Sequence, residues 1–126
     1  MTKYINDAPN APKAIGPYSQ AAQIGNLTFL SGQIPLDPQT GQLVPGGIKE
    51  QTEQVLKNIS AVLTHVKLDF SHVAKTTIFL TDLSHFQVVN EIYERVLGGA
   101  KPARSTIQVA ALPRGSLIEI EMIAGA

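Results

Sequence analysis

The chain has 126 residues, 44% hydrophobic and 16% charged, which predicts one domain over residues 1–126 with an apolar core. Its 10 basic and 10 acidic residues cancel, and the cations are scattered singly, so a nucleic acid or membrane surface is not the expected partner. The lack of cysteine excludes disulfides, zinc–thiolate sites and thiol nucleophiles. Without a signal peptide or a spanning apolar run, we expect a soluble cytoplasmic protein.

The first third of the chain is predicted to contain strands and loops. A short strand is expected at residues 3–6, and the three prolines of residues 7–17 indicate an extended segment after it. Gly25 and Asn26 separate two strand-like runs, the second over residues 27–34, which is typical of a hairpin. Residues 35–47 contain three prolines and three glycines and are predicted to form a loop.

Two helices are predicted in the middle of the chain. The first spans residues 48–66, where apolar side chains recur at helical spacing: Ile48, Val55, Ile59, Val62 and Val66. The β-branched run 73–80 predicts a strand. A second helix follows, with Ser84 and Gln87 spaced as a capping box and Gly98-Gly99 as its stop signal.

The chain is predicted to end in two strands, over residues 104–110 and 117–124, which completes an α+β fold. We expect one mixed sheet with two helices packed on one face. In the first of these strands, alternation places Arg104 and Ile107 on opposite faces. In the second, it places Glu119 and Ile118 on opposite faces. If the apolar sides pack beneath the helices, Arg104 and Glu119 share the open face, which must be exposed or covered by another subunit.

Common catalytic sets are missing from the sequence. The three histidines His65, His72 and His85 lack metal-ligand spacing, and there is no nucleophile elbow, phosphate loop or dinucleotide fingerprint. The remaining polar candidates for a site are Tyr18, Ser31, Asn90, Arg104 and Glu119. Each of them alone is equally compatible with a structural role; Arg104 and Glu119, for example, suit a structural ion pair.

Several segments in order along the chain closely resemble signatures of the Rid family, the reactive intermediate deaminases. They are Ile15-Gly16-Pro17-Tyr18-Ser19-Gln20, Leu30-Ser31-Gly32-Gln33-Ile34-Pro35, Val89-Asn90-Glu91-Ile92-Tyr93, Pro102-Ala103-Arg104-Ser105, Leu112-Pro113 and Ile118-Glu119-Ile120-Glu121. The resemblance covers nearly the whole chain and is closest to the RidA-type subgroup. It implies a chorismate-mutase-like α+β fold and a homotrimer with its sites between subunits.

The resemblance also implies the roles of individual residues in a deaminase that acts on 2-imino acids such as 2-iminobutanoate and 2-iminopropanoate. The carboxylate-binding arginine falls on Arg104 and the water-positioning glutamate on Glu119. The tyrosine falls on Tyr18, the serine–glycine pair on Ser31 and Gly32, and the asparagine on Asn90. Thr106 stands where many RidA-type members have cysteine, and we expect only its main-chain carbonyl to be needed for substrate binding.

These residue types suit the hydrolysis of an imine to a keto acid and ammonia. An arginine fork binds a carboxylate in two places and so orients the neighbouring carbon, and a glutamate can hold water and move protons. The spontaneous reaction is already fast, so no metal or cofactor is expected.

Three alternatives remain open from the sequence, and one of them, a holdase for unfolded proteins, has no signature in it. An endoribonuclease or translation inhibitor would need a basic groove, which the dispersed charges do not indicate. A non-catalytic protein that binds small carboxylates would need Arg104 but not Glu119, so the presence of both residues favours the enzyme.

Overall fold

The alternating segments of the sequence form a single six-stranded mixed sheet in the computed structural model, which describes residues 1–126. The elements are β1 (Lys3–Ile5), β2 (Ala21–Ile24), β3 (Leu27–Gln33), α1 (Ile48–His65), β4 (Val73–Leu80), α2 (Phe86–Leu97), β5 (Ala103–Gln108) and β6 (Ile118–Gly125). The strand order is β1-β2-β3-β6-β4-β5, and only β4 and β5 are parallel. The predicted α+β fold with one mixed sheet is confirmed.

The first helix forms where its apolar spacing predicts, and it covers the centre of the sheet. Its buried face includes Val55, Leu56, Ile59, Val62 and Leu63, which pack into the main apolar core. At its start, the carboxylate of Glu50 accepts a hydrogen bond of 2.9 Å from the N–H of Gly47, an amide that the helix itself leaves unpaired. The helix ends one residue before the predicted position.

The second helix begins differently from the prediction. The expected capping box of Ser84 and Gln87 is wrong, because Asp82 accepts the N–H of Ser84 at 2.9 Å and starts a short 3₁₀ turn over Leu83–His85. The α-helix then begins at Phe86 and ends as predicted at Gly98, whose φ of 60° is readily adopted by glycine.

A buried glutamine fixes the proline-rich segment that precedes the second strand. The side chain of Gln20 is 2% exposed, accepts a hydrogen bond from the N–H of Ala8 at 2.9 Å, and donates to the carbonyl of Pro12 at 3.0 Å. A buried amide must be paired in this way, because an unsatisfied one costs about 1–3 kcal/mol. The segment is therefore held against the sheet, and residues 17–19 lie next to the end of β3.

One face of the sheet carries the core and the other has no covering element. In β6, Ile118, Ile120 and Met122 are almost completely buried beneath the helices, whereas Glu119 and Glu121 lie on the opposite face. The large apolar side chains exposed along the strands include Leu27, Phe29 and Ile107. The sheet thus has one helix-covered face and one open face, as the alternation predicts. No helix of the protein combines the length and the apolar character needed to cross a bilayer.

Candidate functional site

The structure places Arg104 on the helix-covered face of the sheet, not on the open face as the sequence suggested. Arg104 lies in register with Thr76 of β4, which is completely buried, and its guanidinium lies against aromatic rings of α2. Ile107, which was expected to pack beneath the helices, is 44% exposed on the open face. The prediction that Arg104 and Glu119 share one face is therefore wrong, because the rings of α2 accept the cation on the helix side.

Two rings of α2 hold the guanidinium of Arg104. Its Cζ atom lies 5.0 Å from the centre of the Tyr93 ring and 5.6 Å from that of Phe86, both within the range of cation–π attraction. Arg104 takes part in none of the three ion pairs of the chain. Arg95 and Arg114, in contrast, donate to Glu53 and Gln42. A half-buried guanidinium without a carboxylate partner is suited to receive an anion from outside.

A cleft of about 480 Å³ opens beside this arginine, and we call it the arginine cleft. It is lined by Asn90, Tyr93, Glu94, Gly99, Ala100, Lys101, Pro102 and Arg104. Asn90 lies between Phe86 and Tyr93 at positions i, i+4 and i+7 of α2, so all three project from one side of the helix. The predicted site residues Asn90 and Arg104 are thus brought together as lining residues of one cleft.

Two hydroxyls on this side of the sheet are buried without a hydrogen-bond partner. They belong to Tyr93, which is 6% exposed, and to Thr106, two residues after Arg104 on the same face of β5. Burial raises the pKa of the Tyr93 hydroxyl above its usual value, although the Thr76 hydroxyl and the charge of Arg104 oppose the shift. Tyr93 is therefore neutral near pH 7, and it meets Arg104 as an aromatic ring and not as an anion.

The other predicted residues gather on the open face, around a bulge in β3. The register between β3 and β6 shifts between Leu30 and Gln33, so Ser31 and Gly32 together occupy the irregular position. The carboxylate of Glu119 lies directly against Gly32, in space that any Cβ atom at that position would fill. This bulge brings Ser31, Gly32 and Glu119 together.

Glu119 has the electrostatic character of a proton-transfer group. Burial raises the pKa of its carboxyl group above the usual value, and the like charge of Glu121 raises it further. Glu119 takes part in none of the ion pairs of the chain. A carboxyl group with a raised pKa can accept and return a proton closer to neutral pH than an ordinary glutamate.

Tyr18 lies beside the same bulge, close to Ser31. The Ser31 hydroxyl donates to the carbonyl of Ser19 at 2.5 Å, and the Ser31 N–H donates to the carbonyl of Gln20 at 3.0 Å. Pro17, Tyr18 and Ser31 line a second cleft of about 480 Å³. Because the Tyr18 side chain is 54% exposed, it is free to contact a molecule that approaches the open face.

One chain consequently contains two separate groups of candidate residues. The arginine group is Asn90, Arg104 and Thr106 with the two rings, and the glutamate group is Tyr18, Ser31, Gly32 and Glu119. Glu119 and Ile107 both lie level with Phe79 of β4, so Glu119 stands two strands and three residues away from Arg104. At normal strand spacings this separates the two backbones by roughly 10 Å across and roughly 10 Å along the sheet, with the side chains on opposite faces.

Phe86 and Tyr93 were not predicted among the candidate site residues. At helical spacing they fit the apolar face of the second helix, where aromatic residues normally serve the core. The available signal was the position of Asn90 on the same stripe, because a polar amide between two aromatic residues at helical spacing interrupts an apolar face.

Two of the three histidines are paired with exposed aspartates, and His85 directly precedes Phe86 with its Nδ1 buried without a partner. His65 pairs with Asp7 at 2.9 Å and His72 with Asp69 at 3.1 Å, in exposed positions. No group of three or more histidine, aspartate or glutamate side chains is arranged to hold a metal ion.

The chain is similar to known proteins in both sequence and fold. The family described as Endoribonuclease L-PSP matches residues 8–126. The chain is 61% identical to the protein DfrA of Myxococcus xanthus, over 98% of this chain and 96% of that one. It is 54% identical to the mouse 2-iminobutanoate/2-iminopropanoate deaminase, over 98% and 92%. A crystal structure of a Rid-family protein of unknown function from Yersinia pestis covers all of both chains at 49% identity, with a TM-score of 0.96.

Proposed function

The chain belongs to the Rid family, described as Endoribonuclease L-PSP, and from this membership we propose that it hydrolyses reactive 2-imino acids to 2-keto acids and ammonia. The observation that carries the proposal is the presence in one chain of two complementary groups, a free guanidinium held by rings and a carboxyl group with a raised pKa. The mouse relative named as a 2-iminobutanoate/2-iminopropanoate deaminase supports the same substrate class.

In this proposal Arg104 binds and orients the substrate. Its planar fork donates two hydrogen bonds to the carboxylate of the imino acid, which fixes the imine carbon next to that carboxylate. Asn90, beside it in the arginine cleft, offers an amide for the imine nitrogen. The main-chain carbonyl of Thr106 is the remaining acceptor on this side, as expected from the position of this residue two places after Arg104.

Glu119 then supplies the acid–base chemistry. Its carboxylate accepts a proton from a water molecule as the water oxygen bonds to the imine carbon, and it passes that proton to the imine nitrogen, which gives a carbinolamine. Glu119 then accepts the proton of the carbinolamine hydroxyl as the carbonyl forms and donates it to the amino nitrogen, so the carbon–nitrogen bond breaks and ammonia leaves. The main-chain N–H of Gly32 can approach the substrate closely because Gly32 has no side chain. Tyr18 closes the site from the rim.

We further propose that a second copy of the chain completes each site. Because Arg104 and Glu119 lie on opposite faces of one sheet, they can act on one substrate only if the glutamate group of one copy meets the arginine group of another. The open face, with Phe29 and Ile107 exposed, is the surface that such an assembly would bury. Each copy then contacts its two neighbours through different surfaces, an arrangement that a closed ring of identical copies satisfies. We propose that this ring is a homotrimer.

The test is the release of keto acid from freshly generated 2-iminobutanoate. A threonine dehydratase makes the imine in place, and semicarbazide competes for it. The native protein should accelerate keto-acid release, and Arg104→Ala should return the rate to background. Arg95→Ala is the matched control, because Arg95 is an exposed arginine paired with Glu53 outside both groups, and it should retain the native rate.

The outcome also separates the alternative functions. Absence of acceleration by the native protein would refute the deaminase proposal, and titration with 2-oxobutanoate would then show whether the protein is a carboxylate-binding protein. Cleavage of RNA, with binding that weakens steeply as salt rises, would support the endoribonuclease reading instead.

A further inference from the structure

We propose that Tyr93 is a positioning residue: its ring, together with that of Phe86, fixes the plane of the Arg104 guanidinium so that the fork faces the carboxylate of the substrate. The inference rests on the proposed function for the identity of the carboxylate, but the positioning itself is a property of this chain alone. The ring of Tyr93 is the nearer of the two, at 5.0 Å from the Cζ atom of Arg104.

No ion pair within the chain holds the side chain of Arg104 in place. An arginine side chain has several rotatable bonds, and it loses binding strength unless its fork is held before the ligand arrives. Arg95 and Arg114 are each held by a hydrogen bond to a polar side chain, whereas Arg104 has rings in that place. A ring attracts the cation without using any of its N–H groups, so all of them stay available for a ligand.

The state of the Tyr93 hydroxyl supports a role for the ring. The hydroxyl lies towards Thr76 but is buried without a partner within hydrogen-bond range. The Thr76 hydroxyl already donates to the carbonyl of Glu121 at 3.2 Å. The Tyr93 hydroxyl therefore has at most a weak contact with Thr76, and the contact that chiefly distinguishes Tyr93 from an aliphatic residue is the one between its ring and Arg104.

The test compares Tyr93→Leu with Tyr93→Phe. The first variant removes the ring and the second keeps it. A positioning role of the ring therefore predicts weaker binding of 2-oxobutanoate only in Tyr93→Leu. Phe70→Leu is the control for removal of a partly buried aromatic side chain elsewhere, since Phe70 packs against the core away from Arg104. The probe is 2-oxobutanoate, titrated against each protein by calorimetry. The expected result is roughly 3- to 30-fold weaker binding for Tyr93→Leu, the range of one cation–π contact, and native affinity for the other two variants.

A second readout reports the geometry without any ligand. Protons of the Arg104 guanidinium that lie over an aromatic face resonate upfield, so the Nε–H signal of Arg104 should move downfield in Tyr93→Leu and stay in place in Tyr93→Phe. In steady-state assays of imine hydrolysis, the KM should rise in Tyr93→Leu by more than kcat falls, because substrate binding is the step that the fork controls.

Two results would overturn the inference: native affinity for 2-oxobutanoate in Tyr93→Leu, or an equal loss in Tyr93→Phe, which would assign the effect to the hydroxyl. A failure of the proposed function looks different. The native protein would then bind 2-oxobutanoate through Arg104, lose that binding in Tyr93→Leu, and leave imine hydrolysis at the background rate. That pattern would support the positioning role of Tyr93 while refuting the deaminase.

Discussion

Gly32 and Glu119 fit together so closely that the carboxylate of the glutamate occupies the space in which a side chain at Gly32 would begin. Gly32 belongs to the bulge of β3 and Glu119 to the neighbouring β6, so this contact lies between two adjacent strands. The absence of a side chain at Gly32 therefore decides where the carboxyl group of Glu119 can lie.

Gly32→Ala should consequently lower activity much more than stability. The alanine methyl group must push the Glu119 carboxylate aside, and this costs little because the displaced atoms are the end of a flexible side chain. A displacement of about 1 Å from the reacting atoms can cost roughly 100-fold in rate. We expect at least a tenfold loss of kcat/KM for imine hydrolysis, with a midpoint of thermal unfolding close to the native one.

Gly25→Ala serves as the control for that substitution. Gly25 lies in the hairpin turn with a φ of 56° and has nothing near the position of its Cβ atom, so its replacement strains the backbone without entering the site. It should lower the unfolding midpoint and leave kcat/KM unchanged. The opposite ranking of the two variants would show that Gly32 is needed for folding and not for the placement of Glu119.

The pH dependence of activity should report the raised pKa of Glu119. Because the reaction needs the carboxylate form, activity falls as the pH decreases through this pKa, and the acid limb lies above the usual range of a glutamate. Glu121→Gln removes the like charge that contributes to the shift, so the limb should move to lower pH. The profile of log kcat/KM against pH measures this directly.

The acid limb should move only when the substituted carboxylate acts on Glu119. Glu91→Gln, which removes a carboxylate from the exposed side of α2, should leave the limb in place. An acid limb that stays unchanged in Glu121→Gln would contradict the prediction that the charge of Glu121 acts on the group that controls the profile.

Mixing two inactive variants should restore activity if sites are shared between copies. Arg104→Ala supplies an intact glutamate group, and Glu119→Ala supplies an intact arginine group. Random assembly of equal amounts pairs the two intact groups at about a quarter of the contacts between copies, so about a quarter of the native activity should return. The variants are unfolded together, refolded, and assayed for keto-acid release.

The control for the mixture is the double variant Arg104→Ala/Glu119→Ala, refolded with either single variant. No contact in those mixtures between copies combines an intact Arg104 with an intact Glu119, so they should stay inactive. If the first mixture also stayed inactive while each variant assembled normally, Arg104 and Glu119 would not act across an interface between copies.

A charge placed on the open face should prevent assembly. Phe29 is 39% exposed and lies opposite Ile123 of β6, so Phe29→Lys would put an ammonium group into the surface that we expect a second copy to cover. Sedimentation velocity should show this variant as single chains, without imine hydrolysis. Val88→Lys, at a similarly exposed apolar residue of α2, should keep both the assembly and the activity. Assembly of Phe29→Lys at native size would show that the open face is not the interface.

The parts of the fold that the sequence predicted well are those in which a pattern repeats many times. The long apolar periodicity of α1 and the alternation of β6 each provide several residues that agree, and both were confirmed. The start of α2 was predicted from only Ser84 and Gln87, and the structure uses Asp82 instead. Single capping contacts compete with their neighbours, and the winner depends on a turn geometry that the sequence does not display.

The largest error concerned the face of β5, and its cause is physical. The expectation assumed that the apolar side of every strand packs beneath helices, but β5 is an edge strand and leaves Ile107 exposed at 44%. The Phe86 and Tyr93 rings make the helix side acceptable for a cation, so Arg104 lies there. The candidate site residues could be proposed from the resemblance, but their division between two faces required the structure.

That division has a genetic consequence. In a ring of identical chains, a chain that lacks both Arg104 and Glu119 disables the site on each side of itself, whereas a chain that lacks only one of them disables one site. A doubly defective copy expressed beside the normal one should therefore act as a dominant inhibitor, even though it folds, assembles and leaves its neighbours chemically intact.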